Sequence, residues 1–143
     1  VEDCIRQESR PCLVGSSMGG FLSLLLSIRY DLKTVLVNPC LNPSYWCFKT
    51  GLVGKKLRNL DTGYEFEITE DTIHFLQEKE QELDEFSYDN VAVLLQSGDD
   101  VLDYTYARDF FNERCYVDIE EGGNHGYVNF ERKVPFIVDF FRS

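Results

Sequence analysis

The residues most suited to nucleophilic chemistry lie in the Gly-Ser-Ser-Met-Gly motif at positions 15–19. With Ser17 at its centre the motif is Gly-x-Ser-x-Gly, a pattern typical of a serine held at a sharp turn between a strand and a helix. Such a strained turn needs residues without bulk two positions before and after the serine. Ser16 is the weaker candidate, because a frame centred on it places Val14 and Met18 at those positions. The motif therefore predicts that the Ser17 hydroxyl is a nucleophile.

A base and an acid follow at suitable places in the chain. His125 is one of two histidines and lies in a glycine-bracketed loop after a predicted strand, where a scaffold can position an imidazole as a general base. Asp99 and Asp100 come at the end of the strand predicted at 91–97, the edge at which open α/β sheets carry functional groups. Either carboxylate could orient the histidine. The resulting order Ser, Asp, His along the chain matches that of α/β-hydrolases.

The elements that must position these residues can be read from apolar patterns. Short apolar or alternating segments predict strands at about 12–14, 34–38, 91–97 and 115–120. The run from Phe21 to Tyr30 is apolar nearly all round, as expected of a helix buried under a sheet with its N-terminus directed at Ser17. A final helix is predicted at about 129–141, with Pro135 as a kink or in the first turn of a split helix. We therefore predict an α/β fold with a mostly parallel sheet flanked by helices.

Residues 40–90 differ in character from the rest of the chain. The stretch 61–89 contains eleven carboxylates and one basic residue. Within it, apolar residues recur at helical spacing: Ile73, Leu76, Leu83 and Phe86. We predict a single domain over 1–143, with a core formed by 1–39 and 91–143 and a helical cap inserted at 40–90. The acids are explained by a solvated helical face, or alternatively by a cap whose outer surface repels anionic ligands.

Composition limits the class of function. A net charge of −11 argues against nucleic acid as a partner, because such binding requires a basic stripe. No apolar run approaches the roughly 20 residues of a membrane span, and the first residues lack the pattern of a signal peptide. The five cysteines form no Cys-x-x-Cys pair, which argues against a zinc site and predicts reduced thiols in a cytoplasmic protein. We expect no nucleic-acid or membrane partner, no metal and no cofactor.

Four segments together resemble one known family, the YqiA/YcfP-type esterases, which are a small branch of the α/β-hydrolase superfamily. They are residues 14–21, 37–39, 95–104 and 120–127. The resemblance covers essentially the whole chain and implies hydrolysis of a carboxylic ester or thioester. Ser17 then matches the nucleophile, His125 the base and Asp99 the acid. An acyl-enzyme would form on Ser17 and be released by water, with the amide of Met18 as one oxyanion donor.

The beginning of the chain departs from this family. Family members begin with a methionine-led strand and a His-Gly loop, and neither precedes Val1. We therefore expect the N-terminal part of the sheet and the second oxyanion donor to be missing, which leaves an exposed sheet edge through which copies could form a homo-oligomer. Two alternatives to an ester hydrolase use the same scaffold: a non-catalytic binding module, and an acyltransferase.

Overall fold

The computed structural model describes residues 2–7 and 11–143. Its helices are α1 (Glu2–Gln7), α2 (Met18–Tyr30), α3 (Pro43–Lys49), α4 (Glu70–Glu82), α5 (Tyr104–Phe111) and α6 (Val134–Arg142). Its strands are β1 (Leu13–Ser16), β2 (Thr34–Val37), β3 (Lys56–Arg58), β4 (Glu65–Glu67), β5 (Val91–Gln96) and β6 (Tyr116–Glu120). These elements form two compact units, one of Val1–Leu41 with Ser87–Ser143 and one of Asn42–Phe86.

The first unit is built on a four-stranded parallel sheet in the order β1-β2-β5-β6. Thr34 of β2 lies opposite Leu13 of β1 on one side and Val91 of β5 on the other. Every residue of the two inner strands is buried. This explains why the strands are apolar except for Thr34 and Gln96 at their ends, since a parallel sheet is covered on both faces. The prediction of a mostly parallel α/β fold is confirmed. All four strands end at the same edge of the sheet, and the candidate site residues follow them there.

The first strand differs from its prediction as a buried strand at 12–14. It spans Leu13–Ser16, Gly15 is its one buried residue, and Val14 is 49% exposed. The reason is its position, because β1 lies at the edge of the sheet and pairs with β2 alone among the described residues. Cys12, which we expected to be covered, is exposed as well.

Apolar layers cover both faces of this sheet. On one face α2 buries Phe21 and Leu24. On the other a core cluster draws residues from β2, β5 and the C-terminal region: Val35, Val37, Ala92, Leu94, Tyr127 and Ile137. The predicted C-terminal helix is split, with a 3-10 turn at Phe130–Lys133 followed by α6, which carries Pro135 in its first turn. Proline is tolerated there because the first helical N–H groups have no intrahelical acceptor.

We predicted a helical cap at 40–90, but the second unit, Asn42–Phe86, is not purely helical. It contains α3, α4 and an antiparallel hairpin of β3 and β4. Each strand has three residues, mostly charged, so no apolar alternation marked them. Opposite charges face each other across the pair, Lys56 with Glu67 and Arg58 with Glu65, an arrangement that stabilises such hairpins.

The helix α4 is capped by Thr69, whose hydroxyl accepts the N–H of Thr72 in a capping box. Leu76 and Leu83 are buried as their spacing predicts. The prediction that Phe86 belongs to the same apolar helical face is wrong. The chain leaves the helix through a 3-10 turn at Leu83–Glu85, so Phe86 is in extended conformation and 42% exposed.

No helix in the described part of the chain has both the length and the apolar character needed to cross a membrane.

Candidate active site

Ser17 connects β1 to α2 in a strained backbone conformation, with φ 53° and ψ −124°. Positive φ is uncommon for a residue with a side chain and persists only where surrounding contacts impose it. Here the Ser17 N–H donates to the carbonyl of Val37 at 3.1 Å, and its own carbonyl accepts from Gly20 and Cys40, each at 3.0 Å. The Ser17 hydroxyl makes no capping bond to α2, so the motif is not simply a helix-capping turn.

Of the two glycines expected to be needed, Gly15 is required by the structure, but Gly19 is not, and Gly20 is required in its place. A Cβ at Gly15 would lie 2.4 Å from the carbonyl oxygen of Gly19 and from Oγ of Ser23. A Cβ at Gly20 would lie 2.9 Å from Cβ of Pro39, whereas one at Gly19 would meet nothing within 4 Å. The requirement for small residues therefore falls on Gly15 and Gly20. It arises because α2 crosses the backbone of β1 and the segment after β2 at close range.

The structure brings Ser17, His125 and Asp99 together from three separate loops. Nε2 of His125 lies 2.9 Å from Oγ of Ser17. On the other side of the ring, Nδ1 lies 2.8 Å from Oδ2 and 3.0 Å from Oδ1 of Asp99. The imidazole is 21% exposed, while the Asp99 carboxylate is 1% exposed. A hydroxyl, an imidazole and a buried carboxylate in this sequence have the geometry needed to activate a serine.

Asp99 and Asp100 contact different parts of His125. Oδ1 of Asp99 also accepts the backbone N–H groups of Val101 and Leu102, both at 2.9 Å, so this carboxylate is held in place while it contacts the ring. Asp100 is exposed, and its Oδ1 accepts the backbone N–H of His125 at 3.2 Å. That hydrogen bond, together with one from its own backbone, lowers the pKa of the Asp100 carboxyl. Asp99 is therefore the residue placed to orient the imidazole.

The loop that carries the acid and the loop that carries the histidine are joined backbone to backbone. Gly98 N–H donates to the Gly122 carbonyl at 2.7 Å, and Ser97 N–H donates to the Glu120 carbonyl at 2.9 Å. A Cβ at Gly98 would lie 2.5 Å from the carbonyl oxygen of Gly123. Glycine at 98 thus lets the two loops approach closely enough for Asp99 to reach the ring.

Two residues of the site were missed by the sequence analysis, Asn38 after β2 and Gln96 at the end of β5. Both are buried, and both hydrogen-bond to the backbone of the histidine loop. The available signal was a polar amide directly after an apolar β-strand or at its end. Such an amide has to find partners once it is buried.

Met18 is the residue whose amide we predicted as an oxyanion donor. It is the first residue of α2 and follows Ser17 directly. Among the described residues its N–H has no hydrogen-bond acceptor, and the N-terminus of α2 favours negative charge nearby. Within the same described ranges, no cluster of three or more His, Cys, Asp or Glu side chains is arranged to hold a metal ion.

Solved structures with similar folds are α/β hydrolases. Est1E from Butyrivibrio proteoclasticus matches with a TM-score of 0.70 and 16% identity, over 99% of this chain and 67% of that one. A monoacylglycerol lipase from Paleococcus ferrophilus matches with a TM-score of 0.66 and 16% identity, over 99% and 72%. The esterase domain of a Rhodothermus marinus protein matches with a TM-score of 0.62 and 14% identity, over 99% and 63%. The chain thus spans roughly two thirds of the length of these proteins, and it shares their α/β-hydrolase fold.

One family model matches residues 1–142, and its description is "Uncharacterised protein family (UPF0227)". The match extends over nearly the whole chain, and it confirms the resemblance inferred from the motifs around the serine, the acid and the histidine. The chain belongs to the YqiA-like UPF0227 family and has the α/β-hydrolase fold.

Proposed function

We propose that this chain is a serine hydrolase that cleaves a carboxylic ester or thioester through an acyl-enzyme on Ser17. The observation that carries the proposal is the imidazole of His125, which lies 2.9 Å from the Ser17 hydroxyl and 2.8 Å from the Asp99 carboxylate. The family and the fold support it, since the similar structures include an esterase domain and a monoacylglycerol lipase.

In the proposed reaction, Oγ of Ser17 attacks the acyl carbonyl carbon while Nε2 of His125 takes the hydroxyl proton. Asp99 keeps the other ring proton on Nδ1 and so leaves Nε2 free to accept. The imidazolium then protonates the departing alkoxide or thiolate, and the acyl group remains on Ser17. Water, deprotonated by the same Nε2, then attacks the carbonyl carbon of the acyl-enzyme. The bond from this carbon to Oγ of Ser17 breaks, the imidazolium returns the proton to Oγ, and the carboxylic acid is released.

The negative charge of each tetrahedral intermediate develops beside Ser17, where the Met18 N–H at the start of α2 is available to stabilise it. Removing one donor of this kind typically lowers the rate by about 100- to 1000-fold. The strained conformation of Ser17 has a separate role, which is to orient the nucleophile. It directs the side chain away from α2 and toward His125.

The test is covalent labelling with a fluorophosphonate followed by mass spectrometry, together with turnover of an activated ester. We expect the wild-type protein to be labelled on Ser17 and Ser17→Ala to lose both labelling and turnover. Ser16→Ala is the matched control, because Ser16 is an exposed neighbour at the end of β1 whose replacement should leave both nearly unchanged. Labelling at another residue, or equal losses in the two folded variants, would contradict the assignment of Ser17.

A non-catalytic binding module is the second candidate. It is favoured by the fact that Met18 is the one oxyanion donor identified among the described residues. A folded protein whose Ser17 reacts with the probe no faster than free serine would support this alternative over hydrolysis.

A further inference from the structure

We propose that Asn38 and Gln96 are positioning residues for His125. Their buried side-chain amides hold the backbone of the histidine loop, and the loop in turn sets the distances from the imidazole to Ser17 and Asp99. The inference rests on the proposed function, and it adds two residues that touch neither the nucleophile's hydroxyl nor the imidazole.

Asn38 uses its whole side-chain amide in this contact. It is 2% exposed and has φ 41°, a conformation that asparagine tolerates better than most residues. Its Nδ2 donates to the carbonyls of Asn124 and His125, each at 3.1 Å. Its Oδ1 accepts the backbone N–H of Gln96 at 3.0 Å. Both donors of the Asn38 amide are therefore directed at the loop, and its oxygen is directed at β5.

Gln96 holds the same loop from the neighbouring strand. It is 3% exposed, and its Oε1 accepts the N–H groups of Asn124 at 3.1 Å and Val128 at 2.8 Å. Its Nε2 donates to the carbonyl of Val128 at 2.9 Å and to Oε2 of Glu120 at 3.1 Å. A Cβ at Gly123 would lie 2.0 Å from Oε1 of Gln96, so the glycine is what admits the amide. The two amides thus hold the residues on both sides of the histidine.

The segment that carries Asn38 also holds the nucleophile. Val37 accepts the N–H of Ser17, and Cys40 donates to its carbonyl. Residues 37–40 therefore bond to the serine through their backbone and to the histidine loop through the Asn38 side chain. This places one short, rigid piece of chain between the two reacting groups.

The functional consequence follows from the geometry of proton transfer. A base must lie within about 2.6–3.2 Å of the proton donor, and the observed distance from Nε2 of His125 to Oγ of Ser17 is 2.9 Å. A displacement of about 1 Å can cost about 100-fold in rate. Loss of the bonds from Asn38 would remove the donor to the His125 carbonyl and would leave the Asn124 carbonyl with the Tyr127 N–H, at 3.1 Å, as its remaining backbone donor. The loop would then be free to make such a displacement.

The experiment compares Asn38→Asp with a control that loses a different buried hydrogen bond. Asn38→Asp preserves shape and the bond to β5 but replaces both donors with an oxygen that faces two carbonyls. Ser27→Ala removes the bond from a buried hydroxyl to the carbonyl of Leu32 at 2.7 Å, in the last turns of α2 rather than at its start. We expect Asn38→Asp to lower kcat on an activated ester by about 100-fold with KM changed less than about threefold, and Ser27→Ala to leave kcat within about threefold.

A second pair of variants keeps the test decisive if Asn38→Asp unfolds. Asn38→Gly retains the positive φ without the side chain, and Gln96→Met fills the buried space without the amide. Each variant should lower kcat by a larger factor than it changes KM. The loss of kcat should also be larger than its decrease in melting temperature explains, with Ser27→Ala as the reference for a variant that loses stability alone. Folded variants at both positions with wild-type kcat would overturn the proposal, as would losses that follow the melting temperature alone.

A readout independent of turnover separates this inference from the proposed function. The chain has two histidines, so a His74→Gln background leaves the Nδ1 proton of His125 as the only imidazole signal of its kind in the NMR spectrum. We expect this proton at low field in the parent protein, because it is hydrogen-bonded to Asp99, and shifted or absent after Asn38→Asp. If Ser17 proves inert while this shift is seen, the hydrolase proposal fails and the positioning role stands. An unchanged signal in the folded variant overturns the positioning role.

Discussion

Replacing Asp99 with asparagine should invert the hydrogen-bonding role of the imidazole, because the surroundings dictate how the new amide must lie. Oδ1 of Asp99 accepts two backbone N–H groups, from Val101 and Leu102, while Oδ2 lies 2.8 Å from Nδ1 of His125. The carbonyl of the asparagine must take the Oδ1 position, since an NH₂ group there would face two donors. The NH₂ group then takes the Oδ2 position and donates to Nδ1.

An Nδ1 that accepts a hydrogen bond forces the ring proton onto Nε2. That nitrogen can no longer accept the proton of Ser17, so the chemical step is lost while shape and burial are preserved. The same tautomer error lowers kcat about 10⁴-fold when the triad carboxylate of a serine protease becomes an amide. At about 1.36 kcal/mol for each tenfold change, this corresponds to about 5.4 kcal/mol of transition-state stabilisation. We expect a loss of that order for Asp99→Asn.

Asp100→Asn is the matched control. The Asp100 carboxylate accepts the backbone N–H of His125, and an amide oxygen can accept the same bond, so we expect a loss of less than about tenfold. The assay is kcat and kcat/KM on an activated ester, with the melting temperature of each variant as the measure of folding. A larger loss for Asp100→Asn, or more than about a tenth of wild-type kcat in Asp99→Asn, would refute the argument that Asp99 sets the tautomer.

Two further predictions concern stability. Gly15→Ala should destabilise the protein by about 1–3 kcal/mol, because the new Cβ would lie 2.4 Å from the carbonyl oxygen of Gly19. Gly19→Ala places its Cβ in open space and should add about 0.5–1 kcal/mol of helix stability. Equal midpoints of urea unfolding for the two variants would contradict this prediction. Burial lowers the pKa of Lys133, but hydrogen bonds to Asp118 and Glu120 outweigh it and raise that pKa above its ordinary value. The ion pairs therefore stabilise the fold below about pH 10.4, and this stabilisation is lost as the pH rises through the folded-state pKa of Lys133. The melting temperature of Lys133→Met should consequently decrease less at alkaline pH than that of the wild type. An identical decrease in the two proteins would contradict this role of Lys133.

Residue types and spacing were sufficient to locate Ser17 and His125 and to limit the acid to Asp99 or Asp100. Ser17 was marked by its glycines, and His125 by its glycine-bracketed loop after a strand. The strands β2 and β5 were visible as largely apolar runs, because a strand buried on both faces has mostly apolar side chains. These features depend on residues that are close in the sequence, so a sequence motif or an apolar pattern can reveal them.

The features that escaped prediction depend on contacts between distant segments. Asp99 and Asp100 are adjacent acids in one loop, and only the path of the histidine loop decides which of them faces the ring. Gly20 is needed because Pro39 packs against it. The sequence around Gly20 does not indicate this contact, because the proline lies in a different segment of the chain. The role of Asn38 can be inferred only when the structure shows that its side-chain amide donates to the carbonyls of the histidine loop.

The pairing of β2 with β5 has a consequence for how the protein folds. Thr34 pairs with Leu13, 21 residues earlier, but also with Val91, 57 residues later. The nucleophile turn is thus part of a local β-α-β structure, whereas the acid and the base arrive only after a long-range closure. Because closure entropy grows with the logarithm of loop length, halving the chain between β2 and β5 would change its cost by only about 0.6 kcal/mol. The segment from Asn42 to Phe86 can therefore vary widely in length at little thermodynamic cost, while Ser17, Asp99 and His125 come together only once β5 has joined β2 and β6 has paired with β5.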